Sequence, residues 1–124
     1  MAEYRPHDRP KVLVVEDEFI IAAMAEDMLT ELGATVVGPA ATLAKALFLA
    51  QTEHFDAAVL DVNMHGVRID PVARALSERG VPMVFATGYG ECTLDDAPDA
   101  PILDKPYTQD KLGTALVSAM KAAG

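Results

Sequence analysis

Five residues, Ala57-Ala58-Val59-Leu60-Asp61, combine an uninterrupted apolar run with one carboxylate at its end. Apolar residues without a polar break are typical of a strand that is buried on both faces of a parallel sheet. Because an ionised aspartate is costly inside such a core, we expect Asp61 at the carboxyl end of the strand, where the sheet meets water. Taken alone, Asp61 is more simply explained as a residue that ends a strand and caps a turn.

Other short apolar runs along the chain share this pattern of ending at polar or turn-forming residues. Such runs predict strands when stretches of helical periodicity separate them. The predicted strands are residues 11–15, 35–38, 57–60, 82–86 and 102–103. Residues 88–101 give the weakest pattern, with room for little more than a turn or two of helix.

Between the strands, apolar residues recur three or four positions apart, which is the spacing of one helix face. Caps and turn residues bound these helices: Gly33 follows the first, and Pro71 lies in the first turn of the third, which ends at Arg79-Gly80. The predicted N-caps of the second, third and last helices are Thr42, Asp70 and Thr108. The predicted inward faces are Ile21, Met24, Met28 and Leu32 in the first helix, Leu43, Ala46, Leu47 and Ala50 in the second, and Leu112, Ala115, Leu116, Ala119 and Met120 in the last.

The alternation of strand and helix predicts an α/β fold, a doubly wound parallel sheet of five strands with helices on both faces. Ligands of such sheets bind at the carboxyl ends of the strands. The most unusual polar residues follow four of the predicted strands and should therefore meet at one edge of the sheet. They are Glu16-Asp17 after the first strand, Asp61 after the third, Thr87 after the fourth and Lys105 after the fifth.

Length and composition set the class of protein. The 124 residues correspond to one domain, and we assign residues 1–10, which lack periodicity, to a flexible leader and residues 11–124 to the domain. The net charge of −9 argues against nucleic acid or an anionic membrane as a partner. The sequence has neither a signal peptide nor an apolar run long enough to insert into a membrane, and its single cysteine, Cys92, fits a reducing cytoplasm.

The predicted edge has the composition of a phosphoryl-binding site. Carboxylates brought together repel one another and need a cation, and Mg²⁺ suits an all-oxygen set of ligands. Lys105 adds a fixed positive charge, and Thr87 adds a hydroxyl donor. Such groups can position a phosphoryl group and neutralise its charge, and the free carboxylate of Asp61 is a competent nucleophile toward phosphorus.

In this order and spacing, the residues Glu16-Asp17, Asp61, Thr87 and Lys105-Pro106 resemble the receiver domain of bacterial two-component response regulators. The resemblance covers the chain from about Lys11 onward and implies a flavodoxin-like sheet of strand order 2-1-3-4-5. It further implies a partner, a sensor histidine kinase or phosphotransfer protein, whose phosphohistidine phosphorylates Asp61. The implied Mg²⁺ ligands are Asp17, Asp61 and the backbone carbonyl of Asn63, with Glu16 assisting. Lys105 would then pair with the acidic cluster and the phosphoryl oxygens, and Thr87 would respond to the phosphoryl group.

A narrower resemblance lies in Phe85-Ala86-Thr87-Gly88-Tyr89-Gly90, which is similar to the FATGUY group of receivers. Members of that group often stand alone and are partnered with kinases of the HWE or HisKA2 type. Ile102 occupies the position at which ordinary receivers carry a rotating tyrosine or phenylalanine, so the signal should leave by another route. We expect an order–disorder change in residues Gly88 to Ala100, and Tyr89 could either shield the phosphorylation site or be an ordinary loop residue.

The function predicted from the sequence is thus a stand-alone phosphorylation switch that is a monomer or weak dimer. It would signal to an unidentified downstream protein by direct interaction, or pass its phosphoryl group on, and would not be an enzyme beyond its own phosphorylation and dephosphorylation. One alternative is a phosphate sink in a phosphorelay, and another is a docking module that never receives phosphate. A third is a phosphatase with an aspartyl nucleophile, but the haloacid dehalogenase group expects a second aspartate at the position of Asn63.

Overall fold

The computed structural model describes residues 9–64, 66–88 and 100–123. In chain order, its strands and helices are β1 (Lys11–Val15), α1 (Phe19–Glu31), β2 (Thr35–Ala40), α2 (Leu43–Thr52), β3 (Ala57–Asp61), β4 (Asn63–Met64), β5 (Val67–Arg68), α3 (Asp70–Glu78), β6 (Met83–Thr87), β7 (Ile102–Asp104) and α4 (Gln109–Ala123).

Five strands form one parallel sheet in the order β2-β1-β3-β6-β7. This is the predicted order 2-1-3-4-5, because β4 and β5 belong to a separate hairpin. The central strand β3 is buried at every residue and pairs with β1 on one side and β6 on the other. The apolar run that ends in Asp61 is therefore the middle of the sheet, as predicted.

Helices cover both faces of the sheet, which confirms the doubly wound architecture. Successive residues of β1 point to opposite faces, so Leu13 and Val15 contribute to one apolar cluster and Val12 and Val14 to the other. The first cluster contains buried residues of α2 and α3, and the second contains buried residues of α1 and α4. The carboxyl ends of the strands are left open between these two layers.

The inward face predicted for α1 is confirmed only at Met28, which packs against the second apolar cluster. The buried residues of this helix are Ala22, Ala25 and Leu29, whereas Met24 and Leu32 are exposed. Apolar residues surround most of this helix, so periodicity alone does not select one face. Ala22 and Ala25 lie on the buried face of α1, and their small side chains suit close packing against the sheet. The inward faces of α2 and α4 are as predicted, with Leu49 added to that of α2.

Two of the three predicted N-caps are confirmed. The hydroxyl oxygen of Thr42 accepts a hydrogen bond from the Lys45 amide at 3.1 Å, and that of Thr108 accepts one from the Lys111 amide at 3.2 Å. The prediction for α3 is wrong, because Asp70 is its first helical residue and Ile69 precedes it. The Asp70 carboxylate instead pairs with the Arg68 guanidinium, with 2.8 Å between Oδ1 and Nε.

Two segments carry more β structure than predicted. Asn63–Met64 and Val67–Arg68, which lie outside the predicted strands, pair as the antiparallel hairpin β4–β5 directly after Asp61. Strand β2 continues through Gly38 and Pro39 to Ala40, with an irregularity in its pairing to β1. Gly38 makes this possible with a φ of +98°, in the region that only glycine adopts readily. The carbonyl of Ala40 then accepts a hydrogen bond from the Glu16 amide at 3.0 Å and fixes the start of the site.

Candidate functional site

The carboxyl ends of four strands meet at a cavity of about 190 Å³. Asp61 and Thr87 are the last residues of β3 and β6, and Lys105 follows β7 directly. The backbone amide of Lys105 donates to the Thr87 carbonyl at 2.9 Å, so pairing of β6 with β7 sets the spacing of these two residues. The cavity is lined by Asp17, Glu18, Asp61, Asn63, Gly66, Thr87, Gly88 and Lys105. The structure therefore brings together the residues that the sequence placed at this edge.

The ammonium group of Lys105 lies at the centre of the acidic residues. Its Nζ is 3.1 and 3.2 Å from the two carboxylate oxygens of Glu16, 3.0 Å from Glu18 Oε1 and 3.3 Å from Asp61 Oδ2. Glu16 and Asp61 are each 4% exposed, and the Lys105 side chain is 7% exposed. This lysine thus neutralises part of the charge of two buried carboxylates and one exposed carboxylate.

Glu18 is the functional residue that the sequence analysis did not single out. It follows Glu16-Asp17 directly in the sequence, contacts Lys105 and lines the cavity. Carboxylate oxygens of Glu16, Asp17 and Glu18 also lie within 4.8 Å of one another. The available signal in the sequence is the run of three consecutive acidic residues directly after a buried strand.

Burial governs the protonation of the site. Burial raises the pKa of the Glu16 carboxyl from 4.5 to about 7, with a further upward contribution from the charge of Asp61. Burial likewise raises the pKa of Asp61 above its ordinary value, against the opposing effects of hydrogen bonding and of the Lys105 charge. For Lys105, burial alone would lower the pKa, but hydrogen bonds to Glu18 and Glu16 outweigh it and raise the pKa. Both buried carboxyls therefore hold their negative charge at a free-energy cost.

Two backbone contacts fix the orientation of the acidic side chains. The Asn63 amide donates to Asp61 Oδ1 at 3.3 Å, which leaves the second carboxylate oxygen facing Lys105. The Glu18 amide donates to Glu16 Oε2 at 3.1 Å. Since Asn63 begins β4, the hairpin that follows Asp61 holds this part of the cavity wall in place.

Carboxylates and one lysine make the site suitable for a hard divalent cation. All candidate ligands are oxygens, and burial leaves Glu16 and Asp61 in need of more positive charge than one lysine supplies. Mg²⁺ fits this set, since it favours carboxylates and retains several waters. The chemistry of the donors is thus compatible with the predicted metal, which Asp17, Asp61 and a backbone carbonyl would hold.

Some predicted features lie outside the described residues. Tyr89 and most of the segment from Gly88 to Ala100 are among them, as are the first eight residues of the leader. Of the leader's last two residues, Pro10 accepts a hydrogen bond from the Thr35 amide at 2.8 Å. Ile102 is described and is 43% exposed on β7, beside its register partner Phe85.

Comparison with known proteins agrees with this geometry. Residues 12–117 match the family model of the response regulator receiver domain. The chain belongs to the response regulator receiver family. Receiver domains act in two-component signalling, in which they interact with histidine kinases or phosphotransfer proteins, bind Mg²⁺ at an acidic pocket and typically work as switches rather than as enzymes.

Three solved structures are similar to this receiver in fold. The solution structure of SdrG from Sphingomonas melonis Fr1 is 42% identical, with a TM-score of 0.80 over 91% of this chain and 97% of that chain. A response regulator receiver protein from Sinorhizobium medicae WSM419 is 28% identical, with a TM-score of 0.81 over 95% and 99% of the two chains. A CheY-like receiver from Methanospirillum hungatei JF-1, 19% identical with a TM-score of 0.80 over 94% and 97% of the two chains, shares the flavodoxin-like fold.

A curated relative differs in length. The transcriptional regulatory protein PdtaR of Mycobacterium tuberculosis is 31% identical over 115 residues, which are 89% of this chain and 56% of PdtaR. The receiver therefore spans about half the length of this relative. Within residues 9–64, 66–88 and 100–123, the receiver has no helix that is both long and apolar enough to span a bilayer.

Proposed function

We propose that this receiver is a phosphorylation switch in which Asp61 accepts a phosphoryl group from a phosphohistidine. The observation that supports this most directly is the position of Asp61, a buried carboxylate at the end of the central strand that opens into a cavity beside Lys105. Partial burial keeps water away from the carboxylate, while the cavity leaves room for a phosphoryl group to approach.

The transfer uses the side chains of the cavity in distinct roles. An oxygen of Asp61 forms a bond to phosphorus while the bond between phosphorus and the histidine nitrogen breaks, and the electron pair of that bond stays on the imidazole. Lys105 stabilises the charge on the phosphoryl oxygens from its place beside Asp61. Thr87, buried at the end of β6, offers a hydroxyl at the cavity wall and responds to the new group.

The proposed cofactor is Mg²⁺, held by Asp17, Asp61 and the backbone carbonyl of Asn63, with Glu16 assisting. When bound, the ion supplies positive charge to the carboxylates and to the incoming phosphoryl oxygens. The raised pKa values of Glu16 and Asp61 support this assignment, because they indicate a cluster with too little positive charge of its own.

The pathway proposal rests on the sequence motif at residues 85–90. Its similarity to the FATGUY group supports a partner kinase of the HWE or HisKA2 type and action as a stand-alone receiver on a downstream protein or as a phosphate carrier. The family match at residues 12–117 supports placing the domain over residues 11–124. With Ile102 at the usual aromatic position, the response of Thr87 would be passed on by the chain that follows it.

Phosphorylation with a small donor tests the central claim. Wild type and Asp61→Asn are incubated with acetyl phosphate and Mg²⁺, and intact mass is followed with time. We expect wild type to gain the mass of one phosphoryl group and Asp61→Asn to gain none, because an amide does not attack phosphorus. Equal labelling of the two proteins would show that Asp61 is not the acceptor. A panel of autophosphorylated kinases then identifies the partner by its rate of transfer.

A further inference from the structure

All three donors of the Lys105 ammonium group are engaged by carboxylates. A lysine ammonium has three N–H donors. Around Lys105 these donors face Glu16 at 3.1 Å, Glu18 at 3.0 Å and Asp61 at 3.3 Å. A phosphoryl group on Asp61 brings additional anionic oxygens to the same ammonium group, and these oxygens compete with the present acceptors for its donors.

The three carboxylates differ in what leaving Lys105 would cost them. Glu16 is 4% exposed and would remain buried without a cation. Asp61 loses its own charge when it becomes an acyl phosphate, but the phosphoryl group that it carries keeps anionic oxygens beside the lysine. Glu18 is 60% exposed, so its carboxylate can exchange the lysine for water. Of the three contacts, the one to Glu18 is therefore the least costly to break.

We propose that Glu18 is the exchangeable partner of Lys105, which holds the ammonium group until a phosphoryl oxygen takes its place. The proposal rests on the proposed function of Asp61 and makes Glu18 a positioning residue that acts through Lys105. Its backbone stays fixed during the exchange, because the Glu18 amide donates to Glu16 and its carbonyl accepts from the Ala22 amide at 2.9 Å. The exchange is thus confined to one side chain at the start of α1.

Because the Glu18 carboxylate competes with phosphoryl oxygens for Lys105, it should slow the phosphorylation of Asp61. With saturating Mg²⁺ and acetyl phosphate as donor, we expect Glu18→Gln to be phosphorylated about two- to fivefold faster than wild type, the effect of one half-exposed ion pair. Glu26→Gln is the matched control, since Glu26 is an exposed glutamate of α1, the helix that begins directly after Glu18, and lies outside the cavity. Its rate should equal that of wild type.

The negative charge of Glu18 could also act on the donor through space, and a double-mutant cycle separates the two effects. In the Lys105→Ala background, Glu18→Gln should change the slower phosphorylation rate by less than a factor of about 1.5, because no ammonium group remains to be released. The same acceleration in both backgrounds would overturn the proposal, as would no acceleration by Glu18→Gln in the presence of Lys105.

A second measurement observes the contact itself. The ¹⁵N resonance of the Lys105 ammonium group should differ between wild type and Glu18→Gln in Mg²⁺ alone and coincide once both are phosphorylated. A difference that persists after phosphorylation, or none in Mg²⁺ alone, would overturn the exchange. Labelling of wild type at Asp61 is scored separately, so that a failure of the proposed function is distinguished from a failure of Glu18 to act on Lys105.

Discussion

Replacing Glu16 with glutamine should stabilise the metal-free receiver above pH 7 while weakening its response to metal. Burial, with the charge of Asp61, raises the pKa of Glu16 from 4.5 to about 7. A carboxyl whose pKa is higher in the folded protein contributes stability that is complete below the pKa of the unfolded chain, and this stability is lost as the pH rises through the folded value. Glutamine keeps the shape of the protonated form at every pH.

The size of the effect follows from the pKa. The rise from 4.5 to about 7 corresponds to a cost of at most about 3 kcal/mol for ionising Glu16 in the folded receiver. Glutamine still offers an oxygen to the Glu18 amide but forms a weaker contact with Lys105, so we expect a net gain of about 1–2 kcal/mol at pH 8. For a chain of this size, such a gain raises the melting temperature by roughly 3–10 °C.

Urea unfolding of both proteins at pH 5 and pH 8, in the presence of a chelator, measures this gain. It should shrink to a few tenths of a kcal/mol at pH 5, where Glu16 of the wild type is largely protonated. Saturating Mg²⁺ at pH 8 should stabilise the wild type more than the variant, because bound cation relieves the charge that glutamine lacks. Glu26→Gln is again the control. A variant that is less stable at pH 8, or whose gain is the same at both pH values, would refute the reasoning.

Two further predictions concern glycines that shape the elements carrying the site. Gly38→Ala should lower the free energy of unfolding by about 3 kcal/mol, because φ is +98° and a Cβ would lie 2.8 Å from the Ala40 amide nitrogen. Gly33→Ala is the control, with φ +93° and no atom within 4 Å, and should cost about 1 kcal/mol; equal losses in urea unfolding would contradict this account. Gly113→Ala should stabilise α4 by about 0.5–1 kcal/mol, since its Cβ meets only Leu32 Cδ2 at 3.3 Å and Leu32 is 44% exposed. A melting temperature below that of wild type would show that Leu32 cannot move aside.

The sheet could be predicted because strands buried on both faces have a simple sequence pattern. The inner strands β1, β3 and β6 are apolar runs of a few residues, and the polar residues that end or follow them mark their carboxyl ends. The topology of parallel sheets then places those residues at one edge without further information. This is why the sequence alone groups Asp61, Thr87 and Lys105. The strand order itself came from family resemblance, since alternation alone fits several orders.

The details that the sequence did not predict depend on tertiary packing, on competing local contacts or on strands too short to show a pattern. Helix α1 is apolar on more than one side, and only the shape of the sheet selects Ala22 and Ala25 over Met24. Asp70 has the chemistry of an N-cap, but Arg68 two residues earlier engages its carboxylate first. The hairpin after Asp61 has strands of only two residues each, which is too short for any periodicity to be read.

Glu18 shows how the same limit applies to the site. Sequence places it next to Asp17, but its role depends on Lys105, which is 87 residues away and reaches it only through the pairing of β6 with β7. Three carboxylates then contact one ammonium group, and burial of two of them makes the cluster unfavourable on its own. Adding positive charge to the cluster, or releasing one carboxylate from it, would therefore stabilise the folded receiver. A site that gains stability on binding metal and exchanges its most exposed carboxylate for a phosphoryl oxygen can couple both events to the position of a single lysine.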